Sequence, residues 1–505
     1  MFLIPLQSSG DDMRTIENGV AQLFVDDQMI ASSEDLVRTL HEPVKDDGGD
    51  KPAIEVSTLF GEEPATLEAN GTIIFDPMLK RYVMYALAFA PAMDSQDPDK
   101  WQRTHLLRYT SPDGLTWIEG DDGIRDQVYP RSREDLFDPK SGKYATYIDL
   151  CSFIYDASDA VHPYKAWIWF ANWEDGREGI YLMSSADGKQ WNRGEQILVH
   201  KGLTLHQEGR EMVGPGDVTT VYREPGADRF LALIKFYQSE NDKDTNNHFR
   251  SRAYLFIDEM DKPIDLSRIK EIDLIPSGSP SNGDDLYDEY YGASAWRYGS
   301  QWLGLLKVWH GRGDTLYSAA GCAYFKLVTS RDGLNWEKVA FQNTSGHPEV
   351  FLANGEEGGN QGRNDGGYMT DFSQGPLRFG DELIYYYGAS SYGKDHPPGV
   401  RVTGGGIFRA RLRIDGFVSV DGGTLTTPEL GFGGSELYIN STGQIKVEVL
   451  DSEGTLLGST GVEGNDIRGQ VRFDGESIRR LSGGRPTRLR FSVEKGSELY
   501  SFTIE

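Results

Sequence analysis

Three short stretches of this chain repeat one pattern: TSPDGLTW at 110–117, SSADGKQW at 184–191 and TSRDGLNW at 329–336. Each reads Ser-x-Asp-Gly-x-x-Trp and follows a strand-like segment, HLLRYT, GIYLMS or AYFKLVT. Self-similarity at a fixed spacing constrains a fold more than any single motif, because each repeat is one structural unit that buries itself against the next. The first two tryptophans stand 74 residues apart and the second pair 145, close to twice as far. The period is therefore about 73 residues, with one copy between 191 and 336 that has lost the consensus. The Asp-Gly pair specifies a tight turn, in which the aspartate bonds its own backbone and the glycine takes positive φ. The tryptophan three residues on covers the turn. These aspartates are read as structural.

The segments between the turns recur in the same order. GTIIFD (71–76) and RYVMYALAF (81–89) form a hairpin before the first turn, and KAWIWFAN (165–172) precedes the second. VTTVYRE (218–224), RFLALIKFY (229–237) and RAYLFID (252–258) lead to DEMDKP, which replaces the consensus. GASAWRYG (292–299) and QWLGLLKVWH (301–310) precede the third turn, and MTDFSQGPLRFG (369–380), ELIYYYGAS (382–390) and GIFRARLRIDGFVSV (406–420) make a last round. Five rounds of three to four antiparallel strands predict an all-β fold, a five-bladed β-propeller spanning 1–421. VAQLFVDDQMI (20–30) is expected to complete the last blade. After 421 the segments ELYINS, QIKVEVLD, QVRFDG, TRLRFSVE and ELYSFTIE alternate apolar and polar residues, which predicts a C-terminal β-sandwich over 422–505.

Charge narrows the partners. The chain carries 78 acidic against 51 basic residues, a net −27, whereas nucleic acids and anionic membranes call for concentrated positive charge. Neither is expected as a partner, and no apolar run reaches the length of a membrane span. MFLIPL is shorter than a signal-peptide apolar region and lacks a basic start, so location stays open between secreted or periplasmic, after removal of a leader, and cytoplasmic. Cys151 and Cys322 make no disulfide framework. Serine hydrolase, zinc protease and nucleotide-binding motifs are absent. NDKDTNN places Asp242, Asp244 and Asn246 at calcium-loop spacing, but Asn247 and Ala253 stand where glycine and glutamate are required, so the run reads as a solvated hairpin tip. No cofactor is called for, with room left for a structural or axial calcium ion.

The architecture resembles glycoside hydrolases of the five-bladed propeller type, the family 32, 43, 68 and 117 group, and above all bacterial proteins with a family 32 amino-terminal-like domain. The carriers are LFVDDQMI near the start, Glu-x-x-Gly-Thr-Ile-Ile-Phe-Asp at 68–76, the repeated turns, and RARLRIDGFVSV leading into GGTLTT. The resemblance implies cleavage of a glycosidic bond by carboxyl groups in the propeller channel. Family 32's Trp-Met-Asn-Asp, Arg-Asp-Pro and Glu-Cys motifs are not found, which speaks against an invertase-like fructosidase.

Residues entering the innermost strand of each blade ring the mouth of the channel. Acidic groups stand before every such strand as read here: Glu68, Asp156 and Asp159, Asp217, Asp288 and Glu289, and Asp365. Context singles out some of them. Asp217 lies in GPGD, where the backbone comes close; Glu289 lies in YDEYYGA, among aromatics that favour a neutral carboxyl; Asp365 lies in GRNDGG beside Arg363, a cation that favours the charged form. Asp217, Glu289 and Asp365 also recur at intervals of 72 and 76 residues. Glycoside hydrolysis needs two facing carboxyl groups, one as acid and one as base or nucleophile. The expected catalytic set is therefore Asp217, Glu289, Asp365 and Glu68, with His41, Arg210, Trp309, His310 and Arg363 as substrate-binding residues. The expected activity is hydrolysis of a plant or algal oligo- or polysaccharide. The alternatives are a non-catalytic carbohydrate-binding propeller and a sialidase-like hydrolase using Arg210, Arg312 and Arg363, the latter usually built on six blades. A phosphorylase would need a basic phosphate pocket that the sequence does not reveal.

Overall fold

The computed structural model describes residues 13–55, 66–69, 71, 73–89, 104–171, 176–239, 250–276, 284, 288–311, 321–341, 349–356, 365–367, 369–372, 374–390 and 406–505. Strands that read as unbroken apolar runs sit in the middle of sheets: Tyr164–Phe170 is buried on both faces, as such runs require.

Five sheets follow one another along the chain, each with an innermost strand that is commonly broken in two. Blade 1 starts with Thr66–Glu68 and Ile74–Asp76, followed outward by Arg81–Phe89, Thr104–Ser111 and the short Ile118–Glu119 and Gln127–Tyr129. Blade 2 is Ile148–Tyr155, Tyr164–Phe170, Gly179–Ser185 and Asn192–Val199. In blade 3, Arg210–Gly214 and Thr220–Arg223 share the inner edge of Phe230–Gln238, then comes Arg250–Ile257, and a bridge from Arg252 to Leu274 stands in for the outer strand. Blade 4 is Asp288–Ala293 with Trp296–Tyr298, then Gln301–Gly311, Gly321–Ser330 and Glu337–Lys338. Blade 5 is Met369–Phe372 with Leu377–Phe379, then Glu382–Ala389 and Gly406–Arg413.

The ring closes in blade 5, but not with the strand expected at 20–30. Its outermost positions are taken by Val44–Lys45 and Ile54–Glu55, both antiparallel to Gly406–Arg413. Gln22–Leu23 instead pairs with Glu498–Ile504, and Ser32–Leu40 pairs with Val418–Thr426. The C-terminal region is one hydrogen-bonded network of seven strands rather than two separate sheets. The long strand Leu437–Leu450 bonds Glu498–Ile504 along one half and Arg488–Val493 along the other. Both of these also bond Val418–Thr426, so the network closes around a core that includes Leu425, Val447, Phe491 and Phe502. The dividing line drawn at 421 falls inside Val418–Thr426.

The repeated turns behave as their sequence predicts and do more. Oδ1 of Asp113, Asp187 and Asp332 each accepts from the backbone N–H groups two and three residues on, and Gly114, Gly188 and Gly333 have φ of 70°, 71° and 81°. Each tryptophan then wedges against the preceding blade: Trp117 of blade 1 against Tyr386 of blade 5, Trp191 of blade 2 against Tyr85 of blade 1, and Trp336 of blade 4 against Tyr254 of blade 3. Tyr85 and Tyr386 donate their hydroxyls to the carbonyls of Gly188 and Gly114. The motif is a joint between blades.

LFVDDQMI is also a joint. Asp26 receives both Arg331 Nε and Nη2, at 2.7 and 2.8 Å, from the turn of blade 4, and Asp27 receives Arg38 at 2.6 Å. A second clamp links Tyr298 of blade 4 and Ser501 of the C-terminal sheet through the two oxygens of Asp415. Beside it lies a cavity of about 620 Å³, lined by Arg297, Tyr298, Gly375, Asn440 and Arg468 among others, on the side of the ring that the C-terminal sheet covers.

Candidate functional site

Acidic residues on or at the start of innermost strands include Glu68 in blade 1, Asp149 in blade 2, Asp217 before Thr220–Arg223 in blade 3, and Glu289 in blade 4. Glu68 is half-buried on the channel wall. Hydrogen bonds of Arg252 join the backbone beside the members from blades 3 and 4, and the charges of Asp149 and Asp217 act together on Tyr147 of blade 2.

Asp217 is held by its loop. Gly214–Pro215–Gly216 lies against Phe230–Gln238, where Gly216 N–H donates to the Lys235 carbonyl at 2.9 Å. A Cβ on Gly214 would meet that same carbonyl at 2.8 Å, so the close approach needs glycine. His200 Nδ1 lies 3.2 Å from the Pro215 carbonyl, and its pKa is lowered, mainly by burial. Val218 takes φ of 52°, an uncommon conformation for a β-branched residue that costs about 1–3 kcal/mol and persists only where surroundings enforce it. The enforcing group is Arg252, fully buried, which donates Nη1 to the Val218 carbonyl at 2.7 Å and Nε to the Tyr290 carbonyl at 3.1 Å. One guanidinium thus ties the residue after Asp217 to the residue after Glu289.

The two carboxyl groups meet cations. Lys235 Nζ pairs with Asp217 Oδ1, and Arg250 Nη1 donates to Glu289 Oε2 at 2.5 Å. Burial pulls the Arg250 guanidinium's pKa down, but the field of Glu289 and, beyond it, of Tyr291 and Asp217 more than offsets this and leaves it raised. Tyr147, at the entrance to the inner strand of blade 2, is pushed up by burial and by the charges of Asp217 and Asp149. Asp149, Tyr147, Asp217, Lys235, Arg250, Tyr291 and Glu289 therefore form one electrostatic cluster. Asp217 is its accessible carboxyl group, with 27% of its side chain exposed against 13% for Glu289. The aromatics expected around Glu289 are present, yet the group that meets the carboxylate is an arginine.

Several expected residues stand elsewhere. Asp365 is fully buried under blade 5, bonded by Lys45 Nζ at 2.5 Å and the Tyr387 hydroxyl at 2.9 Å, with Gly49 packed against it so closely that a Cβ there would lie 2.5 Å from its oxygens. This is an internal ion pair closed to a ligand, so recurrence at the blade period did not bring Asp365 to the mouth; Arg363 lies outside the described residues, as do Arg312 and 241–247. His41 belongs to the C-terminal sheet, with Nε2 2.7 Å from Ser419 Oγ and 3.8 Å from Glu498, and cannot hold substrate at the channel. Trp309 is fully buried, its ring 6.2 Å from that of Tyr291, and is core. His310 is partly exposed, with Nδ1 2.9 Å from the buried carboxylate of Asp288. Arg210 stands at the tip of the hairpin Leu203–Gln207 and Arg210–Gly214, which extends the inner edge of blade 3 past Gln238. Asp156 sits at the far end of Ile148–Tyr155, bonded by Lys165 and Arg223, which also places it away from the cluster.

Sequence reasoning missed Asp149, Lys235, Arg250 and Tyr291. Asp149 had a signal: it lies 68 residues before Asp217, close to one blade period. Among the described residues no group of three or more His, Cys, Asp or Glu is arranged to hold a metal ion.

No protein-family model and no curated protein sequence matches the chain. Among solved structures, a glycoside hydrolase family 117 protein of the marine bacterium Zobellia galactanivorans is similar at 11% identity, covering 74% of this chain and 89% of its own, with a TM-score of 0.38. A levansucrase of B. megaterium is similar at 11% identity over 76% and 91% of the two chains, TM-score 0.44. A member of the family 130 mannoside phosphorylases, which contains hydrolases that target β-1,2 mannosidic linkages, is similar at 11% over 74% and 94%, TM-score 0.41. The assignment of five blades rests on this chain's own strand pairing.

Proposed function

We propose that the chain is a carbohydrate-active enzyme that cleaves a glycosidic bond at the mouth of the propeller channel, where blades 2, 3 and 4 meet. The observation that carries this reading is the placement of Asp217 and Glu289 on successive inner edges, locked to each other through Arg252 and each facing its own cation. Asp217 is the base or nucleophile: it is the exposed member, and Lys235 stabilises its charged form. Glu289 is the second carboxyl group that this chemistry needs. A plant or algal oligo- or polysaccharide is the substrate class, on the sequence resemblance.

One observation favours a second reading, a propeller that binds carbohydrate without cleaving it: both carboxyl groups are neutralised by ion pairs, which suits binding as well as catalysis. Hydrolysis of a panel of aryl glycosides and plant and algal glycans, by wild type, Asp217→Asn and Glu289→Gln, separates the two. Cleavage of some member of the panel should fall by roughly 10²–10⁴-fold in each variant. Because Asn leaves Lys235 without its counter-charge, rates are compared per folded molecule. Turnover that survives both substitutions places the chemistry elsewhere, and glycan binding without turnover in wild type supports the binding propeller.

A further inference from the structure

The cavity of about 620 Å³ beside the C-terminal sheet lies on the far side of the ring from Asp217 and Glu289. Chain order shows this in two blades. Asp217 precedes Thr220–Arg223, whose Tyr222 lines the cavity, and Glu289 opens an inner edge that runs on to Trp296, which lines it too. Glu289 and Trp296 are 7 residues apart, and extended chain at about 3.3 Å per residue covers on the order of 20 Å over that stretch. Between the two levels, buried hydrogen bonds tie the inner edges together. Thr220 Oγ1 donates to the Ala293 carbonyl at 3.0 Å, and Val221 N–H donates to Ser152 Oγ at 2.8 Å. Gln374 donates Nε2 to Ser152 Oγ at 3.4 Å and its N–H to the Gly71 carbonyl at 2.9 Å. All five blades take part, so the cavity is a compartment of its own and not the lower end of the channel site.

Aromatic surface and positive charge dominate its lining. Tyr222, Trp296, Tyr298 and Tyr438 come from blade 3, blade 4 and the C-terminal sheet, and Arg297, Arg378 and Arg468 stand against one carboxylate, Asp415. The Asp415 oxygens accept from Tyr298 and Ser501 at 2.7 and 2.6 Å, and Arg468 pairs with Glu505 while lying over the Tyr438 ring. Among the described residues no carboxylate pairs with Arg297 or Arg378, and Arg378 Nε reaches only the Gly380 carbonyl, at 3.5 Å. Gly299, Arg378 and Arg468 are exposed, which opens the cavity to solvent. In a chain of net charge −27, an open cavity holding two arginines without acids is suited to an anion.

We propose that this cavity is a second glycan site, which binds a saccharide residue bearing an anionic group and cleaves nothing. The sugar's apolar face packs on the aromatic side chains, and Arg297 and Arg378 take the anion, to which a guanidinium offers paired donors. This rests on the reading of the chain as carbohydrate-active, but not on which residues cleave. Two sources share the chemistry: the carboxylate of a uronic acid and the sulfate ester of a sulfated sugar. Bound here, an acidic polysaccharide is held to the enzyme on the face away from the channel mouth.

The test uses the full chain. Calorimetric titration and thermal unfolding are run with galacturonate, galactose 6-sulfate, galactose and inorganic sulfate, on wild type, Arg378→Gln, Arg297→Gln and Asp217→Asn. At least one acidic sugar should saturate and raise the melting temperature more than galactose or inorganic sulfate does. Galacturonate alone assigns the carboxylate, and galactose 6-sulfate alone assigns the sulfate ester. Arg378→Gln should weaken that sugar by about tenfold or more, and Asp217→Asn should bind it as wild type does. Arg378 is exposed on a short strand, so its variant keeps the test open should Arg297→Gln not fold. Equal responses to galactose and the acidic sugars, or none to any, overturn the site, as does inorganic sulfate binding as tightly as the sulfated sugar. Binding lost in Asp217→Asn and kept in both arginine variants places the ligand in the channel and also overturns it. Acidic-sugar binding that follows Arg378 in a protein that cleaves no glycan keeps the site and sinks the hydrolase reading, whereas glycan cleavage without such binding does the reverse.

Discussion

Replacing Trp191 by alanine tests whether the repeated turn is a joint between blades. The indole is 2% exposed, with its ring 5.6 Å from Tyr85 and 5.3 Å from Phe153, both edge-on. Losing about 200 Å² of buried aromatic surface at ~25 cal/mol per Å² amounts to roughly 5 kcal/mol, and measured losses for buried tryptophan fall near 3–5 kcal/mol. Collapse of the space is hindered, because the Tyr85 hydroxyl is tied to the Gly188 carbonyl at 2.7 Å and keeps blade 1 at its distance. The cost should therefore lie toward the upper part of that range. Trp117 is the internal control: it is only half-buried and meets Tyr386 edge-on at 5.7 Å, so Trp117→Ala should cost less. A chain of this size need not unfold in two states, so the comparison is made on melting temperature by calorimetry and circular dichroism, alongside specific activity of the folded fraction. A Trp191→Ala protein that melts like wild type, or one that keeps its melting temperature and loses activity, refutes the joint.

Two further outcomes follow from buried charge. Asp365→Asn and Lys45→Met should each lower stability by about 3–5 kcal/mol, because each strands one charge of an internal pair, while rates per folded molecule stay near wild type; an Asp365→Asn protein of unchanged stability and no turnover would return that residue to the site. Asp273 has its pKa raised to about 7, chiefly by burial, above the unfolded value of about 3.9. Its contribution to stability is thus fully present below about pH 4, is lost as pH rises to about 7, and is flat beyond. The stability of Asp273→Asn relative to wild type, measured by denaturant titration, should therefore improve from pH 4 to pH 8; a constant difference would mean that the carboxyl group is solvated.

The blade count was readable because turns carry information out of proportion to their length. Ser-x-Asp-Gly-x-x-Trp names a conformation, a bond pattern and a buried ring, and three copies set the period. The closing strands were not readable, since Val44–Lys45 and Ile54–Glu55 are too short to show any alternation inside HEPVKDDGGDKPAIEV. VAQLFVDDQMI looked like the better candidate because its apolar residues fit any sheet edge, and nothing local says which edge. Blade 2 was phased one strand late for a similar reason: KAWIWF is an unmistakable central strand, and taking it as the innermost drew attention to Asp156 instead of Asp149.

The proposed cluster was half-readable, and the reason is where its charges come from. Asp217 and Glu289 enter at the inner edge, where chain order and channel position coincide, so a search for acids at the blade period finds them. The same search finds Asp365, but the carboxyl of that residue is buried against Lys45 and Tyr387. Periodicity fixes where strands lie, not where the residues before them point. The cations are harder still. RFLALIKFY reads as a central strand with one stray lysine, and a buried lysine makes sense only once a partner is known. That partner, Asp217, lies 18 residues earlier on a loop whose path is set by Gly214, Val218 and Arg252. A search that pairs each isolated cation in an apolar strand with the acid one strand earlier would find Lys235 from sequence. It would not find Arg250, whose meeting point with Lys235 on Tyr291 exists only after blades 3 and 4 have packed.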